Sequence, residues 1–211
     1  MDASCTSRIT QMDDGMTADP SAAPDTADLP SPRDVLAYWF ETLTMKDWFV
    51  KDETVDADIT ARFKALHEAL AVEQPDEWID TPEARLALVI ALDQFPRNIW
   101  RESAHAFATD PLALAHSKVL RDGGVEGFSD EMKLFAFLPF EHSEDMADQH
   151  EAVRLIDGLG EPGPDGKTYG DYARAHRDVI ERFGRFPHRN AALGRESTEE
   201  ERAWLEAGGG F

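Results

Sequence analysis

Apolar residues return at every third or fourth position over most of the chain beyond residue 30. Side chains spaced in this way share one face of an α-helix, so the pattern predicts amphipathic helices that bury one stripe. No run alternates between apolar and polar residues as a half-buried strand would. We therefore predict an all-α protein, and the periodicity is clearest in two sets of residues: Val55, Ile59, Phe63, Leu66 and Leu70, and Tyr169, Tyr172, His176, Val179 and Phe183.

Residues that favour helix starts precede several of these stretches. A capping side chain accepts a hydrogen bond from a free N–H of the first turn, and a following proline presets φ. Such pairs occur at Ser31–Pro32, Thr81–Pro82 and Asp110–Pro111. Two further starts are predicted at Ser129, with Asp130 and Glu131 in the first turn, and at Ser197, which forms a capping box with Glu200.

Residues 86–92 are apolar on nearly every side, which is typical of a helix that is surrounded by other helices. We expect it to be the central helix. Pro96 and Pro187 each follow a phenylalanine, and the residue before a proline is disfavoured in the α region. The motifs FPRN (95–98) and FPHRN (186–190) are therefore predicted to be helix exits.

Residues 1–30 differ from the rest of the chain. They contain no aromatic residue and are rich in Ala, Asp, Thr, Pro and Ser, so they cannot bury enough apolar surface to offset the entropy of ordering. We predict a disordered leader over residues 1–30 and a single domain over residues 31–211. The one cysteine, Cys5, lies in the leader, so neither a disulfide nor a cysteine nucleophile is expected.

The formal net charge of −21 opposes binding to nucleic acid, which requires a clustered cationic surface. No apolar stretch reaches the roughly 18 to 20 residues that cross a bilayer, and the leader lacks the pattern of a signal peptide. We expect a cytoplasmic protein without a membrane or nucleic-acid partner. No GxSxG motif, P-loop or dinucleotide fingerprint is present, and no cofactor is predicted.

Three segments hold most of the unusual polar chemistry: FPRN, FPHRN, and the acidic run LPFEHSEDMADQH at residues 138–150. FPHRN lies in a basic island within an otherwise acidic chain, because residues 174–195 contain only two acids, Asp178 and Glu181, and no lysine. The planar fork of arginine binds a carboxylate or a phosphate through two hydrogen bonds. The arginines of the island are Arg174, Arg177, Arg182, Arg185, Arg189 and Arg195.

The acidic run has two interpretations. On one continuous helix, Glu141, Glu144, Asp145 and Asp148 would share a face that is solvated, paired with arginine or occupied by a cation. Alternatively Pro139 breaks the helix and Ser143 caps a new one, so that the acids complement its dipole or form salt bridges. No pair of Glu-x-x-His motifs and no HExxH motif supports a metal centre, and no metal is predicted.

Five long strings resemble the bacterial domain-of-unknown-function family 924. They are VLAYWF (35–40), TPEARLALVIALDQFPRNIWR (81–101), FATDPLAL (107–114), LPFEHSEDMADQ (138–149) and HRDVIERFGRFPHRNAALGRES (176–197). The resemblance covers nearly all of the chain after the leader. It implies antiparallel helix pairs in a right-handed superhelical layer similar to tetratricopeptide repeats, and it brings no catalytic residues.

The leading hypothesis is a binding module that recognises an anionic small molecule or a peptide carboxylate through an arginine-rich patch at FPRN and FPHRN. Glu141, His142 and Asp145 would position the arginines or contact a cationic end of the same ligand. The alternative is a small, hydrolase-like enzyme with His142 or His188 as acid or base, Glu141 or Asp145 beside it, and an arginine at the oxyanion. A third possibility is that these segments only lock helix layers together through salt bridges. The predicted ligand-binding residues are Arg97, Asn98, Arg101, Glu141, His142, Asp145, Arg185, His188, Arg189 and Asn190.

Overall fold

The computed structural model describes residues 29–163 and 166–210, and within these ranges the chain forms helices and no strand. The all-α prediction is therefore confirmed for the described residues. The α-helices are α1 (Pro32–Ala37), α2 (Met45–Phe49), α3 (Glu53–Leu70), α4 (Pro82–Asp93), α5 (Phe95–Ile99), α6 (Asp110–Asp122), α7 (Asp130–Glu141), α8 (Met146–Ile156), α9 (Tyr169–Phe183) and α10 (Glu199–Glu206).

Shorter helical turns connect some of these helices. A π-helical turn (Tyr38–Thr42) continues α1, and 3₁₀ turns occupy Asp76–Trp78, Ala104–Phe107 and Pro187–Arg189. The last two carry Phe107 and Arg189, two side chains of the candidate site that is described below. The predicted leader lies outside the described residues except for Leu29 and Pro30, and the domain boundary at residue 30 stays a prediction.

The capping residues explain where the helices begin. Ser31, Thr81 and Ser129 each accept a hydrogen bond from the N–H three residues later, as the sequence predicts. Two predictions are displaced by one residue. Thr109 precedes α6, so Asp110 is its first helical residue, and the last capping box is formed by Thr198 with Glu201 instead of Ser197 with Glu200.

Helix α4 lies at the centre of the core, as expected from its uniformly apolar sequence. Residues 86–92 are fully buried, and the helix packs against α1, α3, α5, α6 and α7. The aromatic rings of Phe63 and Phe95 stack beside it with their centroids 4.5 Å apart. A smaller cluster of buried apolar residues forms around Val179, Ile180 and Phe186 near the end of α9.

The prediction that FPRN is a helix exit is wrong in one respect. Helix α4 does end at Asp93, but after the single turn residue Gln94 the motif forms its own short helix α5, with Pro96 in the first turn. Proline is tolerated there because its missing N–H would have no partner in the helix. FPHRN does follow a helix end, since α9 stops at Phe183 and Gly184 adopts a left-handed φ of 69°.

The acidic run does not form one continuous helix. Glu141 ends α7, and α8 starts at Met146 with Asp145 as its N-cap. The second interpretation is thus the better one, although its details need correction: Pro139 lies inside α7, and the capping residue is Asp145 instead of Ser143. No helix among the described residues is long and apolar enough to cross a bilayer. The tetratricopeptide-like superhelical arrangement stays a prediction.

Candidate functional site

Side chains from the three polar segments meet around the end of the central helix. We call Asp93, Arg97, Asp110, His142 and Arg189 the charged cluster. Asp93 ends α4, Arg97 lies on α5, Asp110 begins α6, His142 follows α7, and Arg189 lies in the 3₁₀ turn of FPHRN. Five segments of the fold therefore contribute to one group of ionisable side chains, and only Asp93 and Arg97 are near each other in sequence.

Asp110 holds two guanidinium groups at once. Arg97 donates from Nη1 to Oδ1 at 2.9 Å and from Nη2 to Oδ2 at 3.1 Å. Arg189 donates from Nη1 to the same Oδ2 at 3.2 Å. Arg97 also lies 3.2 Å from Oδ1 of Asp93, and it donates to the backbone carbonyl of that residue. Arg97 thus places both terminal nitrogens on carboxylates, whereas Arg189 shares one oxygen of Asp110.

Asp93 orients His142. Its side chain has no exposed surface, and Oδ1 lies 2.8 Å from Nδ1 of His142. Burial opposes the charge of Asp93, but Arg97 and His142 outweigh it and lower the pKa of this carboxyl to about 2. The pKa of His142 is itself lowered, because burial and the charge of Arg97 disfavour the imidazolium.

These two protonation states fix the tautomer of His142. An ionised carboxylate only accepts hydrogen bonds, so Nδ1 of the neutral ring must carry the proton and donate to Asp93. Nε2 is left as an acceptor. It makes no hydrogen bond among the described residues, and it is not sealed from solvent.

Arg189 is the least satisfied member of the charged cluster. The residue is only 6% exposed, and the central carbon of its guanidinium lies 4.7 and 4.6 Å from the ring centroids of Phe107 and Phe186. Its Nε is buried without a hydrogen-bond partner among the described residues, and its Nη2 makes no hydrogen bond there. Burial, followed by the charge of Arg97, lowers the pKa of Arg189 to about 10.

Other arginines present the same Nε and Nη2 edge to an acid. Arg101 binds Asp56 in this way, and Arg154 binds Glu151. Arg185 also uses both atoms, at 2.6 and 2.8 Å from the two carboxylate oxygens of Glu201. The empty edge of Arg189, which we call the open fork, is therefore a property of this position and does not reflect the protein's low content of basic residues.

Three further side chains border the charged cluster: Glu141 and His188, which were predicted to belong to the site, and Glu144 of the acidic run. Glu141 is 4% exposed and lies 2.9 Å from Nδ1 of His176, whose ring centroid is 6.5 Å from that of His142. Burial and the charge of Arg189 lower the pKa of His188 to about 4. Glu144 connects the acidic run to FPHRN by accepting from the Phe186 N–H at 2.7 Å, and it also binds Arg195.

The remaining predicted ligand-binding residues have structural contacts elsewhere. Asn98 donates to Asp56 at 2.8 Å, and Arg101 binds the same carboxylate, so both tie α5 to α3. Asn190 donates to Ser197 and Glu201, and Arg185 also binds Glu201. Asp145 caps α8 through the N–H groups of Ala147 and Asp148. The structure does not bring these five side chains into the charged cluster.

Sequence reasoning missed several residues that complete the site. Asp93 carried a usable signal, because it is a lone acid that directly follows seven apolar residues and precedes FPRN. Asp110 was recognised only as part of a helix start, and its role as the shared acceptor depends on tertiary contacts. Phe107 carried no signal, since a half-buried phenylalanine in a connecting turn has many ordinary roles.

An apolar surface groove of about 480 Å³ lies apart from the charged cluster, with Phe40, Met45, Trp48 and Met132 among its lining residues. Among the described residues, no group of three or more His, Cys, Asp or Glu side chains is arranged to hold a metal ion.

Comparisons with known proteins agree with the sequence strings. The model of a family described as bacterial protein of unknown function, DUF924, matches residues 35–209. The chain is also similar to a solved protein of unknown function from Agrobacterium tumefaciens, with 43% identity and a TM-score of 0.76, over 87% of this chain and 99% of that one. A search of curated proteins gives no match.

Proposed function

The chain belongs to the bacterial DUF924 family of unknown function, and we propose that it is a binding protein whose open fork at Arg189 holds the carboxylate of a small molecule or a peptide. Arg97 adds positive charge beside this fork. The family relationship supplies no ligand, so the proposal rests on the geometry of the charged cluster.

The buried, unpartnered Nε of Arg189 is the observation that carries the proposal. A buried donor without an acceptor costs about 1–3 kcal/mol, and more when the donor belongs to a charged group. Native proteins seldom retain such a group without a reason. A carboxylate placed on Nε and Nη2 would satisfy both donors in the geometry that Arg185 and Arg101 already adopt with acids of the chain.

The charge balance favours a carboxylate over a dianionic phosphate. Arg97, Arg189 and the nearby Arg195 are matched by Asp93, Asp110 and Glu144. The ligand therefore enters surroundings without a large positive excess. A single negative charge costs less to desolvate there than two, and the fork supplies two donors for two oxygens.

The aromatic rings of Phe107 and Phe186 support the same function. Both ring centroids lie within 5 Å of the central carbon of the guanidinium, and these contacts limit the motion that a free arginine side chain would lose on binding. Preorganisation of this kind strengthens binding by lowering its entropic cost. The neighbouring phenylalanines also exclude water from the fork, so a hydrogen bond to a charged group is stronger there than at the surface.

The proposal can be tested by titrating the full-length protein with sodium propanoate against sodium chloride at equal ionic strength, using calorimetry. We expect saturable binding by the wild type. Arg189→Met should weaken it at least about tenfold, because a hydrogen-bonded charge pair is removed, and Arg189→Lys should fail to restore it, since lysine keeps the charge but not the fork.

Arg101→Met is the matched control, because the fork of Arg101 is already occupied by Asp56. It should bind propanoate like the wild type. Equal binding by the wild type and Arg189→Met, or no binding by the wild type, would contradict the proposal and favour the interpretation in which the charged cluster only joins helices.

The Asp93–His142 pair favours a second candidate function, a small hydrolase-like enzyme. A neutral imidazole that is oriented by a carboxylate and has a solvent-accessible Nε2 is suited to accept a proton from water, and a nearby arginine can stabilise an oxyanion. Hydrolysis of 4-nitrophenyl succinate by the wild type, reduced to the background rate in His142→Gln, would support this function. Equal rates in the two proteins would exclude His142 as the base.

The cytoplasmic location and the tetratricopeptide-like arrangement are further parts of the proposal that come from the sequence alone. Glu141 and His188 border the charged cluster, and we assign them a supporting role in its electrostatics. Asp145, Asn98, Arg101, Arg185 and Asn190 are assigned to helix capping and helix packing.

A further inference from the structure

We propose that the apolar groove bordered by α1, α2 and the start of α7 binds an amphipathic helix of a partner protein, with basic side chains flanking the apolar face of that helix. The groove has a volume of about 480 Å³, and its apolar lining residues are Leu36, Phe40, Met45, Trp48 and Met132. None of its lining residues belongs to the charged cluster, so this site is separate from the proposed carboxylate site.

Apolar side chains are exposed in and beside the groove. Six large apolar residues are well exposed in the part of the chain that the structure describes, and three of them, Met45, Phe49 and Val50, fall within residues 45–50. The other three come from three separate elements. Met45 lines the groove, and the ring centroid of Phe49 lies 6.3 Å from that of Trp48, which also lines it. A local concentration of exposed apolar surface is typical of a docking site.

Packed aromatic rings form one side of the groove. The ring of Trp48 packs edge to face against the rings of Phe135 and Phe40, with centroids 5.0 and 5.9 Å apart. Met45 and Met132 line the same groove. Methionine side chains are unbranched and adapt to the shape of an inserted group, and a large aromatic residue is a common anchor of binding energy. This combination suits the apolar side chains of a docking helix.

The π-helical turn Tyr38–Thr42 fixes the position of Trp48. Beyond the turn, Thr44 donates its backbone N–H to the carboxylate of Asp47 at 2.8 Å. The carbonyl of Trp39, five residues before Thr44, instead accepts from the indole N–H of Trp48 at 3.0 Å. Single π-helical turns occur frequently at functional sites. Because this wall of the groove is already ordered, a docking helix loses less entropy on binding.

The charges of the groove select a basic partner. Its charged lining residues are both acids, Glu41 and Glu131. Neither takes part in a salt bridge within residues 29–163 and 166–210, and Lys133, two residues after Glu131, lies 3.8 Å from Asp130 instead. Lysine or arginine beside the apolar face of the partner helix would complement these carboxylates.

The same charges disfavour an occupant from this chain. A second copy docked through the same groove would bring Glu41 and Glu131 near their own counterparts and would join two chains of net charge −21. Residues 1–28 contain six aspartates and a single basic residue, Arg8. An extended peptide is also a poorer fit than a helix, because such peptides pair with the edge of a sheet and the described residues form no strand.

The test uses a capped peptide of about 14 residues of leucine and lysine, enough for roughly four helical turns, with the leucines on one helical face. The caps remove the terminal carboxylate, so the peptide cannot occupy the arginine fork. In methyl NMR of the full-length wild type, we expect saturable shifts of Met45 and Met132, while Met146, which packs near the end of α9, stays constant. A peptide of the same composition with leucines distributed around the helix should produce no saturable shift.

Two matched variants separate apolar docking from attraction to an acidic protein. Met45→Glu and Val119→Glu each add one negative charge at residues that are 48% and 49% exposed. Met45→Glu should weaken peptide binding at least about fivefold, because an apolar contact is lost. Val119→Glu should leave the affinity within about twofold of the wild type. Equal affinities of the two variants would overturn the proposal.

A second pair of variants tests the carboxylates. Replacing both Glu41 and Glu131 with glutamine should weaken binding about threefold or more at low salt. Glu53→Gln combined with Glu73→Gln removes the same charge from α3 and the turn after it, and it should have a smaller effect. Equal losses in the two double variants would overturn the assignment of these glutamates.

Further outcomes identify a different occupant or none. Shifts of Met146 as large as those of Met45, equal binding of the two peptides, or no binding would overturn the proposal. A nitroxide attached to Cys5 that broadens the Met45 and Met132 signals of the free protein would assign the groove to the leader. A dimer in sedimentation experiments that dissociates in Met45→Glu would assign it to a second copy. Either result would replace the partner helix.

Discussion

The motifs FPRN and FPHRN contain nearly the same residues, but their arginines differ in how many of their nitrogens have hydrogen-bond acceptors. Arg97 of the first turn places both terminal nitrogens on Asp110 and also contacts Asp93. Arg189 of the second turn receives one oxygen of Asp110 and has a buried Nε without a partner. Similar sequence therefore gives one arginine with both terminal nitrogens on carboxylates and one whose buried Nε has no hydrogen-bond partner among the described residues.

The difference arises from the number of acceptors that the surrounding helices supply. The start of α6 brings a single carboxylate, Asp110, to both arginines, and the end of α4 adds Asp93 only to Arg97. The next acid, Glu144, is occupied by Arg195 and by the backbone of FPHRN. Arg189 thus has more donors than the neighbouring helices supply acceptors. This difference from Arg97 depends on how the helices pack and cannot be read from the motif.

The largest loss of stability is expected on replacing Arg97. Arg97→Met should lower the free energy of unfolding by about 3–5 kcal/mol, because it leaves the buried Asp93 and the shared Asp110 without their main counter-charge. Chemical denaturation measures this directly. A loss below about 1 kcal/mol would remove the contrast between the two turns.

The histidine that distinguishes FPHRN from FPRN should make the second turn sensitive to acid. The pKa of His188 is lowered to about 4 in the folded protein, whereas the unfolded chain takes up this proton near the ordinary value of about 6.5. Between these values the unfolded state binds more protons, so stability falls as the pH falls from about 6.5 to 4.

We expect the contribution of His188 to this loss to be about 3 kcal/mol. His188→Gln should lose correspondingly less stability than the wild type over the same pH range in denaturant titrations. Identical pH profiles for the two proteins would show that the imidazole of His188 titrates normally in the fold.

Replacing the arginine with the open fork should cost less stability than replacing Arg97. Arg189→Met removes one hydrogen bond of 3.2 Å and the contacts with two rings, but it also removes a buried donor without a partner. We expect a loss of about 1–2 kcal/mol. A loss of about 3 kcal/mol or more, equal to that of Arg97→Met, would favour a purely structural role.

The smallest loss of stability is expected on replacing Arg101, whose guanidinium is bound to an acid near the surface. The side chain of Arg101 is 34% exposed and binds Asp56, so Arg101→Met should lower stability by about 1 kcal/mol or less in the same denaturation assay. A larger loss would mean that occupied forks in this protein contribute more than solvent-exposed ion pairs generally do.

Much of the fold could be predicted from the sequence, because helix periodicity and capping are local properties. Helices α3 and α9 and the buried α4 follow directly from apolar spacing. The start of α10 is displaced by one residue because Thr198, next to Ser197, accepts from the N–H of Glu201, whereas Thr109 precedes α6 without a side-chain cap. The short helix α5 was missed because a proline after Phe95 was interpreted as a stop instead of as a first turn.

The site could be predicted only in part. Arg97, His142 and Arg189 were marked by the unusual composition of their segments, and the structure places all three in the charged cluster. Their pairing with Asp93 and Asp110, and the different state of the two arginine forks, depend on which helices pack together. Other arginines and asparagines of these segments bind acids on other helices instead. Asp56 binds Asn98 and Arg101, and Glu201 binds Arg185 and Asn190.

The most direct test of the central claim is to observe the N–H group at Nε of Arg189 by nitrogen-15 NMR during a titration with propanoate, with the signal assigned by its loss in Arg189→Lys. The account predicts a saturable change in this signal, while the Nε signals of Arg101 and Arg185 stay constant because Asp56 and Glu201 already occupy them. An unchanged Arg189 signal at saturating propanoate, or equal changes at all three arginines, would contradict the claim that this fork is the protein's carboxylate-binding group.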